Sequence, residues 1–162
     1  IDKRKRSRQD AQGIKEENAM KERNGRWISI LYRRNQMYIM QALRKYGISS
    51  SEYPVLLMLY RGDGLTQEDI VSYLCLDKSA VARIVQSLEK KELIEKKKDE
   101  KDQRCNRVFL TSRGRMMEPI IEDVLNQWND ILMSHMTQEE EEEAGRLLKQ
   151  MVANVSSKRN EE

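Results

Sequence analysis

The stretch that decides the fold spans residues 65–114 and reads LTQEDIVSYLCLDKSAVARIVQSLEKKELIEKKKDEKDQRCNRVFLTSRG. Its first half predicts two short helices joined by a tight turn, and its second half predicts a highly charged β-hairpin. This order of elements is typical of proteins that lay one helix in the major groove of DNA and a basic loop beside it. The stretch therefore predicts a DNA-binding unit.

Capping side chains mark where the two short helices begin. Thr66 and Asp69 have the spacing of a capping box, in which each side chain pairs with the other residue's backbone N–H. Asp77 is placed to cap the second helix, which we expect to run from Lys78 to about Lys91. Apolar residues at i, i+3, i+4 and i+7 of that helix predict a buried stripe. They are Val81, Ile84, Val85 and Leu88.

The opposite face of the second helix combines long hydrogen-bonding side chains with small ones, which lets the backbone approach a groove closely. It consists of Lys78, Ser79, Ala82, Arg83, Gln86 and Lys90. Arginine and glutamine suit the edges of guanine and adenine, and serine suits a phosphate or a base. An ordinary solvated face is the alternative, but the preceding cap, short helix and turn favour contact with DNA.

The hairpin is predicted from one strand at residues 93–98, a tip at 99–103 and a second strand at 106–110, with Val108 and Phe109 packing inward. Four basic side chains are the expected phosphate contacts: Lys96, Lys97, Lys98 and Arg107. Arg104 follows Asp102 by two residues, so that the carboxylate would orient the guanidinium for insertion into a minor groove.

Helices are also predicted on both sides of this unit. The first begins near Arg26 and ends at Gly47, with an apolar face of Trp27, Ile30, Leu31, Tyr38, Met40 and Leu43. The next takes its N-cap from the serines at 49–51 and holds Pro54 in its first turn. Thr111 is expected to cap a long helix, in which Pro119 marks a displaced start or a bend.

Thr137 opens the last predicted helix, whose apolar residues recur every three to four positions. They are Leu147, Leu148, Met151, Val152 and Val155. Because the terminal stripes exceed what the small middle unit could bury, we expect an intertwined dimer. The predicted fold class is mostly α with a small β wing, a winged helix-turn-helix flanked by N- and C-terminal dimerisation helices.

The expected organisation has five parts. They are a basic N-terminal segment at 1–24, a first dimerisation helix at 25–48, the DNA-binding core at 49–111, C-terminal dimerisation helices at 112–157 and a tail at 158–162. The N-terminal segment is expected to be a flexible tail or a basic arm that touches DNA phosphates.

Charge is uneven along these 162 residues, although the net charge is only +3. Residues 78–115 hold 12 Lys and Arg against 6 Asp and Glu, which fits a polyanionic partner, with a solvated charged surface as the alternative. No apolar run is long enough to span a bilayer, so no membrane partner is expected. These features predict a cytoplasmic, nucleoid-associated protein.

Neither the two cysteines nor the one histidine suggests a metal site, and no cofactor is expected. Cys75, in the turn before the second short helix, is expected to be buried. Cys105 lies among cationic residues that would favour a thiolate, so it is either a redox sensor or an incidental thiol. His135 is expected to pack at a surface or an interface. We expect no catalytic site, because no nucleophile–base pair and no phosphate-cradling glycine loop is visible.

Over roughly residues 26–155 the chain resembles the MarR family of bacterial transcription regulators. The similarity is carried by Asp102 and Arg104 at the wing tip, then Leu110, Thr111 and Gly114 at the opening of the long helix. The resemblance implies a homodimeric winged helix-turn-helix on palindromic double-stranded DNA, with 78–91 as recognition helix and Arg104 in the minor groove. Glu92 stands where the family usually has glycine, so that turn is expected to be tighter or shifted.

The resemblance also implies release from DNA by a small aromatic or phenolic effector, most simply for a repressor. Seven residues could line a cavity for it, with plain core packing as the alternative: Trp27, Tyr32, Met37, Met40, Tyr53, Leu56 and Met117. Outside DNA binding, the alternative function is a winged-helix module whose basic hairpin meets an acidic protein partner.

Overall fold

The computed structural model describes residues 24–99, 102 and 105–158. The chain divides into two compact units between residues 124 and 125, inside a helix. No helix of the described part of the chain is long and apolar enough to cross a membrane. The predicted basic arm lies in residues 1–23, outside the described part.

The first helix, α1, occupies 24–43 within the described residues and continues into a 3-10 turn at Arg44–Tyr46. Gly47 ends it in the left-handed conformation, with φ of +71°, as its position predicted. Of the predicted apolar face, Leu43 is buried, whereas Trp27 and Met40 are more than half exposed in a single chain. Ile39 joins Leu43 in the core, so only the last turns of α1 are packed within the unit.

Helix α2 spans Tyr53–Arg61, and its N-cap is Glu52 rather than one of the preceding serines. Glu52 makes no side-chain cap; its carboxylate reaches back to the amide of Ser49 instead. Pro54 lies in the first turn of α2, as predicted. The predicted serine cap is wrong, since the Ser49 and Ser51 hydroxyls hydrogen-bond to each other at 3.0 Å and no side chain among the described residues caps α2.

The two short helices form where the capping residues predicted them, as α3 at Gln67–Leu74 and α4 at Lys78–Lys90. The capping box is complete, because Thr66 Oγ1 accepts from the Asp69 amide while the Asp69 carboxylate accepts from the Thr66 amide. The Thr66 hydroxyl and amide hold the pKa of Asp69 below its ordinary value.

The wing is an antiparallel sheet of β1 (Leu65–Thr66), β2 (Ile94–Lys98) and β3 (Asn106–Leu110) in the order β1-β3-β2. The hairpin was predicted, but β1 was not, because two residues before a helix carry no strand pattern of their own. Val108 is fully buried as expected, whereas Phe109 is half-buried.

The predicted long helix is two helices, α5 at Ser112–Met116 and α6 at Glu118–Leu132, followed by α7 at Gln138–Lys158. Pro119 is the second residue of α6, so it marks a displaced start. The Thr111 hydroxyl caps α5 by accepting from the Gly114 amide at 3.0 Å.

Gly114 is where the start of α5 meets the beginning of the wing. A Cβ there would overlap the backbone carbonyl oxygen of Leu93, which already accepts the amide of Thr111 at 3.1 Å. On its other side, the Tyr60 hydroxyl donates to the Gly114 carbonyl at 2.9 Å. Burial raises the pKa of Tyr60, helped by the charges of Glu118 and Glu122. Only glycine fits this position.

The core belongs to the first unit. Every buried apolar side chain among the described residues lies between Ile39 and Val124. Helix α7 carries its apolar stripe at 38 to 73% exposure in a single chain. The sequence prediction that the terminal stripes exceed what the middle unit can bury therefore agrees with the structure.

Candidate nucleic-acid interface

Helix α4 is held firmly at its N-terminus. The Asp77 carboxylate accepts from the Ser79 hydroxyl at 2.6 Å and from the Ala80 amide at 2.7 Å. These two hydrogen bonds, the Ser79 bond first, lower the pKa of Asp77 below its ordinary value. A carboxylate at this position also faces the positive end of the helix dipole. The first turn of α4 is thereby fixed.

The predicted stripe of α4 is buried, since Val81, Val85 and Leu88 have no exposed surface and Ile84 is half-buried. Burial of one side leaves the other side facing outward. All six residues expected on that outward face are exposed: Lys78, Ser79, Ala82, Arg83, Gln86 and Lys90. Arg83 Nε donates to the Ser79 carbonyl at 3.4 Å, and Lys78 pairs with Glu68 at 3.0 Å. The polar face of α4 is available to a groove.

The C-terminal end of α4 turns sharply at Glu92, which has φ of +58°. The left-handed region disfavours residues with a Cβ, and the family glycine expected here would be free of that cost. Two hydrogen bonds hold the turn: the Glu92 amide donates to the Glu89 carbonyl at 2.9 Å, and the Thr111 hydroxyl donates to the Glu92 carbonyl at 2.6 Å.

The three lysines of β2 differ in their surroundings. Lys96 is pulled back toward α4, where it pairs with Glu89 at 2.8 Å and is only 27% exposed. Lys97 pairs with Glu95 at 2.8 Å and lies over the ring of Phe109. Lys98, nearest the tip, is exposed. Basic charge is therefore most accessible toward the tip of the wing.

Arg107 braces the root of the wing. Its guanidinium pairs with Asp99, which is 6% exposed, and donates to the Gly64 carbonyl at 2.8 Å. The hydrogen bond that Arg107 donates to the Asp99 carboxylate raises the pKa of Arg107. The Asp102 amide donates to Asp99 at 3.0 Å, so that the same carboxylate orders the start of the tip. Arg104, the predicted minor-groove residue, lies outside the described residues.

The sequence and the structure of this chain are both similar to those of known proteins. A family model described as MarR family matches residues 48–106. A solved MarR transcriptional regulator from Methanosarcina mazei Go1 is 38% identical, with a TM-score of 0.81 over 84% of this chain and 98% of that one. The chain belongs to the MarR family. The resemblance inferred from the wing motif and the predicted winged-helix fold are both confirmed.

Other MarR-family relatives are more distant. The HTH-type transcriptional regulator YybA of Bacillus subtilis is 25% identical over 67% of this chain and 72% of its own length. A MarR family transcriptional regulator from Listeria monocytogenes, solved in complex with a 26-mer DNA, shares the fold at a TM-score of 0.78 and 22% identity, over 82% of this chain and 89% of that one. These relatives are regulators of transcription rather than enzymes.

Both cysteines of this MarR-family chain depart from expectation. Cys75 is exposed, not buried, and occupies the left-handed C-cap position after α3 at φ of +54°. The exposed Cys105 thiol faces Asp102, whose carboxylate raises the pKa of the thiol. The expectation of a favoured thiolate at Cys105 is therefore wrong. His135 is exposed in the turn after α6, at φ of +69°.

Two of the seven predicted effector residues, Met37 and Met40, line a groove beside the end of α1. The groove has a volume of about 610 Å³ and is lined by Met37, Met40, Gln41, Arg44, Gly47, Ile48, Ser49 and Lys91. Leu56 is a fully buried core residue, and Trp27 and Tyr32 are 58% and 63% exposed. Tyr53 and Met117 are half-buried. The groove instead brings two cationic side chains, Arg44 and Lys91, beside the methionines.

Sequence reasoning missed two acidic residues that order this interface. Asp63 accepts from the Leu110 amide at 2.9 Å and pairs with Arg115, which ties the turn after α2 to the wing and to α5. Glu52 joins α2 to the end of α4. Asp63 lies in a stretch whose residue types predict only a turn. Glu52 follows serines that were predicted to cap α2. Nothing local distinguishes either residue.

Proposed function

We propose that this MarR-family chain is a sequence-specific DNA-binding transcriptional repressor, which works as a homodimer on a palindromic operator in the bacterial cytoplasm. The observation that carries the proposal is the outward polar face of α4, set opposite the buried side chains of Val81, Val85 and Leu88 and next to a basic wing. Membership of a family of transcriptional regulators supports it. So does the DNA complex of the Listeria monocytogenes neighbour.

The outward face of α4 and the wing have different roles in this proposal. Ser79, Arg83 and Gln86 read base edges, while Lys97 and Lys98 contact phosphates. Lys96 and Arg107 were expected to contact phosphates, but their ion pairs with Glu89 and Asp99 support a bracing role in the wing. Arg104 remains the proposed minor-groove residue on the strength of the sequence motif alone.

The homodimer is supported by apolar surface that a single chain leaves exposed. Trp27, Leu31 and Met40 on α1 are 47 to 58% exposed, and the stripe of α7 is similarly open. Trp27 and Leu31 are four residues apart and share one face of α1, and an exposed apolar face of this kind marks an interaction site. A second copy is the proposed occupant, because a two-fold dimer presents two recognition helices about 34 Å apart, which matches successive half-sites of a palindrome.

A small aromatic or phenolic acid is the proposed effector that releases the operator. In the groove beside α1, Met37 and Met40 offer an apolar wall, and Arg44 offers a cationic partner for an acidic group. Thermal stabilisation by a panel of aromatic acids, lost in a Met37→Ala, Arg44→Ala double variant, tests this. Equal stabilisation of the double variant contradicts an effector at the groove.

The main experiment selects bound sequences from a random duplex pool and then measures affinity for the winner and for random duplexes across salt concentrations. Arg83→Ala is expected to lose about 1–3 kcal/mol on the selected sequence and to relax preference at one base pair. Lys98→Ala should weaken binding to all sequences and reduce the salt slope by about one.

Two outcomes oppose the proposal. If Arg83→Ala weakens binding equally on every sequence, Arg83 contacts phosphate and α4 is not the reading helix. If affinity for DNA is weak and nearly independent of salt, the winged helix is instead a module for an acidic protein partner.

A further inference from the structure

Glu52 is one of only two charged residues that are buried within the described part of the chain, with 2% of its surface exposed. Both carboxylate oxygens are used. Oε2 accepts from the Ser49 amide at 2.7 Å, and Oε1 accepts from the Ser87 hydroxyl at 2.7 Å. Lys91 Nζ donates to both oxygens at 2.7 Å each. A buried carboxylate with every partner in place is well ordered.

The partners of Glu52 come from both sides of the fold. Ser87 is in the last turn of α4 and Lys91 is its C-cap residue, 35 and 39 positions from Glu52 in sequence. Lys91 Nζ also donates to the Gly47 carbonyl at 2.7 Å, so the loop between α1 and α2 is held as well. The end of α4 is thus fastened to the segment that opens α2.

The hydrogen-bond partners of Glu52 favour its charged form, although the side chain is buried. Burial alone would raise the pKa of this carboxyl, but the hydrogen bonds from Lys91, Ser49 and Ser87 outweigh it and hold the pKa below its ordinary value. Removing one member of such a group leaves the others without partners in a poorly solvated place. The contact therefore tolerates little displacement.

The geometry of the contact bears on the face that reads DNA. An α-helix advances 100° per residue, so a fixed Ser87 defines the rotation of α4 about its own axis, and with it the direction of Gln86 and of Arg83 one turn earlier. Apolar packing of Val81, Val85 and Leu88 holds α4 against the core but permits small rotations, because it has no direction. A hydrogen bond through Ser87 allows far less rotation.

We propose that Glu52 is a positioning residue for operator recognition, which sets the rotation of α4 through Ser87 and Lys91 without touching DNA. The inference rests on the proposed role of α4 as the recognition helix. It assigns specificity to a residue that is buried on the protein side of that helix. Non-specific binding, which depends on phosphate charges, should not require this rotation.

The test exploits the sign of the charge change. Glu52→Gln removes a negative charge, so simple electrostatics predicts equal or tighter binding to all DNA. Positioning predicts the opposite for the selected operator, with at least a tenfold loss of affinity, while affinity for random duplex changes less than twofold. Glu143→Gln is the matched control, because it makes the same charge change at an exposed ion pair with Arg146 inside α7. It should leave the ratio of the two affinities unchanged.

Measurements are made on the full chain below its unfolding transition, with the folded fraction checked by circular dichroism. If Glu52→Gln does not fold, Ser87→Ala decides, because it removes a single hydrogen bond. It should lower operator affinity about threefold to fivefold with random-duplex affinity unchanged. An unchanged ratio in the folded variant, or an equal loss on both duplexes, overturns the inference.

Arg83→Ala in the same assay distinguishes a failure of the positioning role of Glu52 from a failure of the reading role of α4. If Arg83→Ala lowers operator affinity and the Glu52 or Ser87 variant does not, only the positioning role of Glu52 fails. If Arg83→Ala changes nothing, the proposed reading role of α4 fails first.

Discussion

Helices α4 and α7 both carry an apolar stripe at helical spacing, but the two stripes differ in how much of their surface is exposed in a single chain. In α4 the stripe is closed off, with Val81, Val85 and Leu88 at zero exposure. In α7 the corresponding residues remain open, from Leu147 at 38% to Val155 at 73%. Periodicity indicates that a helix has a face to bury, but it does not say which molecule buries it.

The difference separates two kinds of stability. Folding of the first unit should depend on contacts within one chain, whereas the order of α7 should depend on the concentration of a partner. Identical types of substitution made in the two regions should consequently have different, and sometimes opposite, effects.

The largest contrast is expected from Gly→Ala at two helical positions. Gly114→Ala forces the Leu93 backbone away from α5 and should destabilise the fold by about 3–4 kcal/mol. Gly145→Ala in α7 meets nothing within 4 Å and should stabilise by about 0.5–1 kcal/mol, because alanine is the better helix former. Urea unfolding of both variants checks this. A mild effect at 114 would mean that the wing and α5 separate easily.

Charge placed on the open stripe should affect assembly rather than folding. Leu148→Asp is expected to weaken the proposed dimer by about 2 kcal/mol, roughly a 30-fold rise in its dissociation constant, as measured by sedimentation. Gln150→Asp is the control, since Gln150 lies on the polar side of α7. Val85→Ala should instead lower the free energy of unfolding at every protein concentration. Equal dimer affinity for the Leu148 and Gln150 variants would remove α7 from the interface.

A smaller effect is expected at the left-handed turn after α4. Glu92→Gly should stabilise the first unit by about 1 kcal/mol, because glycine adopts φ of +58° without steric cost. The ion pair with Arg113 that is lost is long, at 3.5 Å, and exposed, so it contributes little. Glu92→Ala, which loses the ion pair but keeps the backbone strain, is the control. It should not raise the midpoint temperature of thermal unfolding.

Local signals made much of this fold predictable. The caps at Thr66, Asp77 and Thr111 depend on residues two or three positions away, and each was correct because nothing distant competes for those amides. The buried stripe and the outward face of α4 were predicted from the helical spacing of its apolar residues alone. The wing motif then identified the family, which was sufficient for the class of function.

Contacts between distant segments were not predictable in the same way. Strand β1 exists only because β3 lies beside it, and the partner that holds Glu52, Lys91, is 39 residues away in sequence. The thiol of Cys105 was judged by its cationic sequence neighbours, whereas Asp102 faces it in space.

The wing is also less of an exchangeable module than its sequence suggests. Its strand β2 begins directly after Leu93, whose carbonyl oxygen Gly114 approaches, and Arg107 of β3 reaches back to the Gly64 carbonyl. A chimaera that imports only a foreign hairpin would inherit mismatched backbones at both places. Crossover points placed before residue 47 and after residue 116 would keep these contacts together with those that Ser87 and Lys91 make to Glu52 and Gly47, so recombination between relatives should succeed there and fail inside that interval.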